Sequence, residues 1–312
     1  MVVELLATTE CCRRYSLAHR SAAVYGATMT AADLLRDRLA TAVRSVVGGS
    51  SEPRPVAKWD PTDPPLIDMT SPVRTVHADP AMFVGGVRSL LYQTLHPTTM
   101  FAVSEHSDYR NDPLGRLHRT AHFLGATTFG AASEARQAIE VVRAIHGTVT
   151  GVTADGKPYR ADDPHLLGWV HATEVDSFLR SHQRYGTARL STSDRDAYVA
   201  DMAPIGEALG VRDAPRSTAE LRARLAAYRP ELASTRQSRE TTRFLFAPPL
   251  PRATLPFYAL IFGAAVGLLP RHARAMLMLP LAPGVDPLVL RPATTALTRT
   301  LRWAMTSTSA GR

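Results

Sequence analysis

Eleven histidines are the side chains most able to do chemistry in this 312-residue chain, and several fall at helical spacings. Over 133–146 the apolar residues Ala138, Ile139, Val142 and Ile145 predict an amphipathic helix. His146 follows Val142 by four positions and Ile139 by seven, so it shares their inward face. One reading is a hydrogen-bonded core histidine. The sharper one is an axial ligand for haem iron, which needs a helix-borne imidazole in an apolar surround. Gly147 beside it would let a flat ligand approach the backbone.

A second helix, over 114–128, carries Arg116, Thr120, Phe123 and Thr127 on one stripe. A buried arginine is costly unless paired. An anion, such as a carboxylate or a haem propionate, would pair it; a surface bridge to Asp112 or Glu105 is the plainer alternative. His118 and His122 form an H-x₃-H pair of zinc-binding spacing, with His106 or Glu105 as the third ligand, though no HExxH accompanies them. His96 precedes Pro97 in a polar tract, and His171 shares a helix face with Val175 and Phe178. Each is a candidate cofactor contact, or else a core histidine.

These residues need helices to hold them, and the pattern supplies few other elements. Helices are expected over about 30–47, 79–95, 98–105, 114–128, 133–146, 165–185, 193–209, 217–227, 257–279 and 293–305. Asp79-Pro80 and Pro164 mark two starts, and Ser133 is the expected cap of the His146 helix. Seven prolines over 50–80 predict an extended arm without helix. Alternating Val and Thr followed by Asp155-Gly156 predict one short β-hairpin. The fold class is therefore all-α, a single multi-helix domain with one small hairpin.

Composition excludes several classes. At 45% hydrophobic and 21% charged, the chain is not disordered, and with 7% aromatics its core must be largely aliphatic. The formal charge is +8, but all but two of the 36 basic residues are arginines scattered along the chain, which argues against a nucleic-acid interface. Cys11 and Cys12 are adjacent and ill-placed to bridge each other, so a reducing, cytoplasmic setting is expected. The apolar stretch 255–270 is too short to span a bilayer, leaving weak membrane-surface contact as an accessory expectation. No GxGxxG follows a strand, and no GxxxxGK[ST] or GxSxG is present.

The ordered set L-x-Q-x-x-H-P (91–97), E-H-S-D-Y (105–109), D-P-x-G-R-L-x-R-T (112–120), H-G (146–147) and L-x-W-V-H-A-T (167–173) resembles the bacterial branch of the rubber oxygenase family. That family joins the latex-clearing proteins with the fungal oxygenase MpaB, and the resemblance covers roughly 75–280. It implies a globin-like helical core and haem b. The family's proximal histidine would be His146, and its distal Arg and Thr would be Arg116 and Thr120. Where latex-clearing proteins can place an iron-capping Lys before that Thr, this chain has Arg119, a poor iron ligand because it stays protonated. Glu105 is a candidate for the family's catalytic carboxylate.

The resemblance implies three segments: an N-terminal helix and Pro-rich arm (1–74), a haem-binding catalytic domain (75–280) and a C-terminal extension (281–312). The function implied is a haem-dependent oxygenase using dioxygen on an apolar substrate, such as an alkene or isoprenoid. Arg116, Thr120 and Glu105 would be catalytic, and Arg116, Arg119, His171 and His96 would contact the cofactor. The competing functions are a non-catalytic haem or lipid-binding protein of the same fold, and a zinc hydrolase built on His118 and His122.

Overall fold

A computed structural model describes residues 36, 41, 62–250, 252–279 and 284–306. The helix expected over 30–47, most of the Pro-rich arm, and Cys11 and Cys12 lie outside or almost outside these residues. Twelve α-helices and one two-stranded hairpin are present among the described residues, so the fold is all-α.

In chain order the helices are α1 (Pro72–His77), α2 (Met82–Gln93), α3 (Pro97–His106), α4 (Pro113–Phe129) and α5 (Ala132–Thr148). The hairpin follows, pairing β1 (Thr150–Val152) with β2 (Pro158–Arg160). Then come α6 (Pro164–Tyr185), α7 (Thr192–Leu209), α8 (Thr218–Ala227), α9 (Arg236–Phe246), α10 (Leu255–Leu268), α11 (Arg271–Met276) and α12 (Arg291–Thr306). No described helix is long and apolar enough to cross a membrane.

Local chemistry sets most starts. Proline stands at the first turn of α1, α3, α4 and α6, where its missing N–H costs nothing. Asp112 and Asp163 cap α4 and α6 by accepting from Gly115 N and His165 N, each at 2.8 Å. Ser191 and Asp194 form a full capping box on α7.

The centre is the packing of α2 on α6, with α10 lying over α2. The helices meet so closely at Gly85 that a Cβ there would sit 2.7 Å from both the Phe178 ring and Ser181 Oγ. Around the crossing, Leu91, Leu95, Trp169, Val175 and Tyr198 are almost wholly buried. Arg88 is buried with them. Its Nη2 donates to Asp176 (2.7 Å), its Nη1 to Ser177 Oγ (2.5 Å), and its Nε to the Leu268 carbonyl (3.0 Å). One guanidinium thus ties α2, α6 and α10 together.

Four expectations are corrected. Pro72 opens a short helix inside the stretch expected to be extended, because Ser71 caps it by accepting from Val73 N and proline suits the first turn. The helix expected over 257–279 is broken at Leu269-Pro270, where proline forces its predecessor into an extended conformation. Ser133 does not cap α5; Ala131 precedes that helix, and Ser133 instead binds the Asp63 carboxylate. Helix α9 was not anticipated. Its Thr235 cap accepts from Ser238 N (3.1 Å), and Ser238, Thr241 and Thr242 form its buried side.

Candidate functional site

Helices α4 and α5 pack side by side, and together they carry Arg116, Arg119, Thr120 and His146. The end of α3 and the hairpin adjoin them. Tyr159 of β2 is buried, its ring covers Gly151 so closely that a Cβ would meet its hydroxyl at 2.5 Å, and that hydroxyl bonds His106 Nε2 at 2.8 Å. Tyr109, in the loop after α3, bonds Thr241 of α9 at 2.8 Å.

Arg116 is half-buried on the first turn of α4. Its Nη1 donates to Ser107 Oγ, and no carboxylate among the described residues pairs with it. Burial lowers the pKa of its guanidinium, and the like charge of Arg119 lowers it further. Thr120 is exposed, and its hydroxyl donates to the Arg116 carbonyl at 3.0 Å. Arg119 points to solvent, 67% exposed, and pairs with Asp112 at 3.2 Å. Glu105 is exposed, and its charge helps to raise the pKa of Tyr159, whose main cause is burial.

His146 is half-buried near the end of α5. Its Nδ1 is buried without a hydrogen-bond partner. Burial lowers its pKa against the opposing pull of Asp162, so the imidazole is neutral at pH 7 and able to ligate a metal. Gly147 beside it, and Gly125 on α4, have open space where a side chain would stand. Leu117 and Ile145 are 40% and 55% exposed despite their apolar side chains. A neutral imidazole, an arginine lacking a carboxylate partner among the described residues, an open backbone and uncovered apolar residues are groups that could hold a haem.

The zinc alternative finds less support. His118 is half-buried with its Nε2 unpartnered, but His122 is exposed, and no third His, Cys, Asp or Glu joins the two among the described residues.

His96 and His171 make other contacts. His96 caps α3, its Nδ1 accepting from Thr99 N at 3.3 Å, and its ring packs on Trp169, Tyr228 and His165. His171 is buried and lies against α7, where a Cβ on Gly206 would be 2.7 Å from its Cε1. Burial brings its pKa down to about 4, with help from Arg224. Neither histidine's contacts include the residues around Arg116 or His146.

Sequence reasoning passed over an interior acid. Glu174 on α6 has no hydrogen-bond or ion-pair partner among the described residues, and burial pushes its pKa up to about 7. Its charge reaches Tyr198, whose hydroxyl bonds His77 Nε2 at 3.3 Å, while His77 Nδ1 bonds Thr128 of α4 at 2.8 Å. A signal existed: Glu174 lies three residues after His171 and four before Phe178, on a face already read as inward.

No curated protein and no solved structure gives a significant match to the chain. A family model does: the one described as "ER-bound oxygenase mpaB/B'/Rubber oxygenase, catalytic domain" matches residues 74–303, most of the chain and nearly all of the helices just described. The chain therefore belongs to the MpaB/rubber oxygenase family.

Proposed function

We propose that this oxygenase-family chain is haem b-dependent, with His146 as the axial ligand, and that it uses dioxygen on an apolar, alkene or isoprenoid substrate. The observation that carries the reading is the pairing of an unengaged, neutral His146 imidazole with an Arg116 that lacks a counter-charge, on two adjacent helices. Haem iron, when bound, would supply the one-electron and dioxygen chemistry that no amino-acid side chain provides.

The chain's own residues would do the rest. His146 would hold the metal through its imidazole, which makes no hydrogen bond at its buried Nδ1. Arg116 would clamp a propionate with a charge-assisted hydrogen bond. Thr120 would stand one turn from Arg116, its hydroxyl available once it leaves the Arg116 carbonyl. Arg119, engaged with Asp112 in solvent, would not ligate the metal. The uncovered Leu117 and Ile145 would exclude water from an apolar ligand.

Titrating the purified chain with haem tests the proposal. A Soret band should form in the wild type and be lost or strongly shifted in His146→Ala, while His118→Ala keeps it. A wild type that shows no Soret band after supplementation rejects the reading. Product from a single turnover with oxygen and an alkene then separates catalysis from simple binding.

A further inference from the structure

Three short segments bring two imidazoles and a carboxylate together, none of them hydrogen-bonded to His146 or Arg116. His96 stands at the N-cap of α3, His165 in the first turn of α6, and Glu231 at the end of the 3₁₀ turn Arg229–Glu231. His165 Nε2 lies 2.7 Å from Glu231 Oε2, and His96 Nε2 lies 3.4 Å from the same oxygen. One ligand atom from each residue falls within 4.8 Å of the other two, the one such trio of His, Cys, Asp or Glu among the described residues. Ligands at about 2.1 Å from a common cation would be roughly 3.0–3.4 Å apart. Two of the observed separations, 2.7 and 3.4 Å, lie near that spacing, and the third is within 4.8 Å.

We propose that His96, His165 and Glu231 form a site for a borderline divalent cation such as zinc. The donor set is the reason. Two imidazole nitrogens and one carboxylate oxygen suit first-row divalent metals over magnesium or calcium, which prefer all-oxygen shells. Three protein ligands leave a position for water, and the partial exposure of His165 (53%) and Glu231 (42%) gives a route in.

The surroundings fix the ligands. Ala233 N donates to the Leu95 carbonyl at 2.9 Å, and Glu231 N to the Tyr228 carbonyl at 2.9 Å, which locks the turn carrying Glu231 beside His96. The Tyr228 hydroxyl donates to the His165 carbonyl at 2.7 Å and holds the first turn of α6. The His96 ring is fixed against Trp169 and Tyr228. With a cation on Nε2 its proton belongs on Nδ1, where Thr99 Oγ1, 3.2 Å away, accepts it. That hydrogen bond replaces the weaker contact from Thr99 N and orients the ring, as a partner behind a metal-bound imidazole usually does.

The test uses the full chain, stripped with a chelator and offered zinc chloride or, as control, magnesium chloride. One zinc per chain should survive gel filtration, and zinc but not magnesium should raise the thermal midpoint by joining α3, α6 and the turn after α8. Glu231→Gln and His165→Ala should each weaken zinc binding on the order of 100-fold and abolish the midpoint shift, with circular dichroism unchanged. His146→Ala should bind zinc as the wild type does, so the result is independent of haem. Zinc that is not retained, or is retained equally by His165→Ala and Glu231→Gln, overturns the proposal.

Discussion

Two arginines sit on neighbouring parts of this fold in opposite states. At the α2–α6 crossing, Arg88 has no exposed surface, and its three nitrogens reach Asp176, Ser177 and the Leu268 carbonyl. On α4, Arg116 is half-buried and reaches only Ser107. The same contrast runs through what surrounds them. Near Arg88 the apolar side chains are enclosed and the helices touch through Gly85. On α4 and α5, Leu117 and Ile145 face outward, while His118 and His146 keep ring nitrogens buried without partners. Buried polar groups in folded proteins are ordinarily satisfied. His182 and Tyr185 of α6 also keep buried polar atoms without partners, but inside an enclosed core, whereas on α4 and α5 such atoms lie beside uncovered apolar residues, a combination that suits a covering ligand. The first region is scaffold, and the second is the receptor we propose.

The largest effect should come from breaking the scaffold. Arg88→Met leaves Asp176 buried with only the i+4 partner Arg180 on its other oxygen. Losing one member of a buried pair costs about 3–5 kcal/mol because the remaining charge is stranded. Urea denaturation should show that loss, and the double variant Arg88→Met/Asp176→Leu should recover at least half of it. A single variant as stable as the wild type would remove the distinction between the two regions.

The next effect is smaller and depends on pH. Glu174 is an unpartnered, half-buried carboxyl on α6, held at a pKa of about 7 against an ordinary 4.5. The folded state therefore binds its proton more tightly than the unfolded state does. The group's favourable contribution is present below pH 4.5 and is lost as pH rises through 7. His77 acts on the other limb. Burial lowers it to about 3, so its contribution is present above pH 6.5 and is lost as pH falls. Glu174→Gln should stabilise the protein by about 2 kcal/mol at pH 8.5 and by nearly nothing at pH 4, read from denaturation midpoints. The full shift would give roughly 3 kcal/mol, reduced because part of the residue reaches solvent. A pH-independent difference would show that folding does not shift the Glu174 pKa.

What could be read from the chain itself divides along the same line. Helix starts written locally were partly legible: Pro164 announces α6 and Asp155-Gly156 the hairpin turn, but Asp79-Pro80 does not cap α2, which starts at Met82 behind Ala81 without a side-chain cap. Helix α9 was not, since its buried side is Ser238, Thr241 and Thr242, and hydroxyls do not register as an apolar stripe. The residues of α4 and α5 emerged from spacing because they share helices close in sequence. His96, His165 and Glu231 did not, because 69 and 66 residues separate them in the chain and only the tertiary fold closes the gaps. Arg88 was invisible for a related reason. An arginine among apolar neighbours is usually a surface residue, and its partner lies 88 positions away.

The smallest stability effect belongs to Arg116, and it sharpens the comparison most. Arg116→Leu removes one hydrogen bond to Ser107 and relieves a desolvated cation whose pKa burial and Arg119 both lower. Those two changes oppose each other, so the denaturation midpoint should move by less than about 1 kcal/mol in either direction. Haem capture should respond quite differently. A charge-assisted hydrogen bond to a propionate contributes about 1.5–3 kcal/mol, so haem should bind the variant roughly ten- to a hundredfold more weakly. Arg116→Lys keeps the charge but not the fork, and should fall between the two. If Arg116→Leu instead unfolds the chain as Arg88→Met does, then α4 belongs to the scaffold. Its uncovered residues would then need another explanation than a ligand.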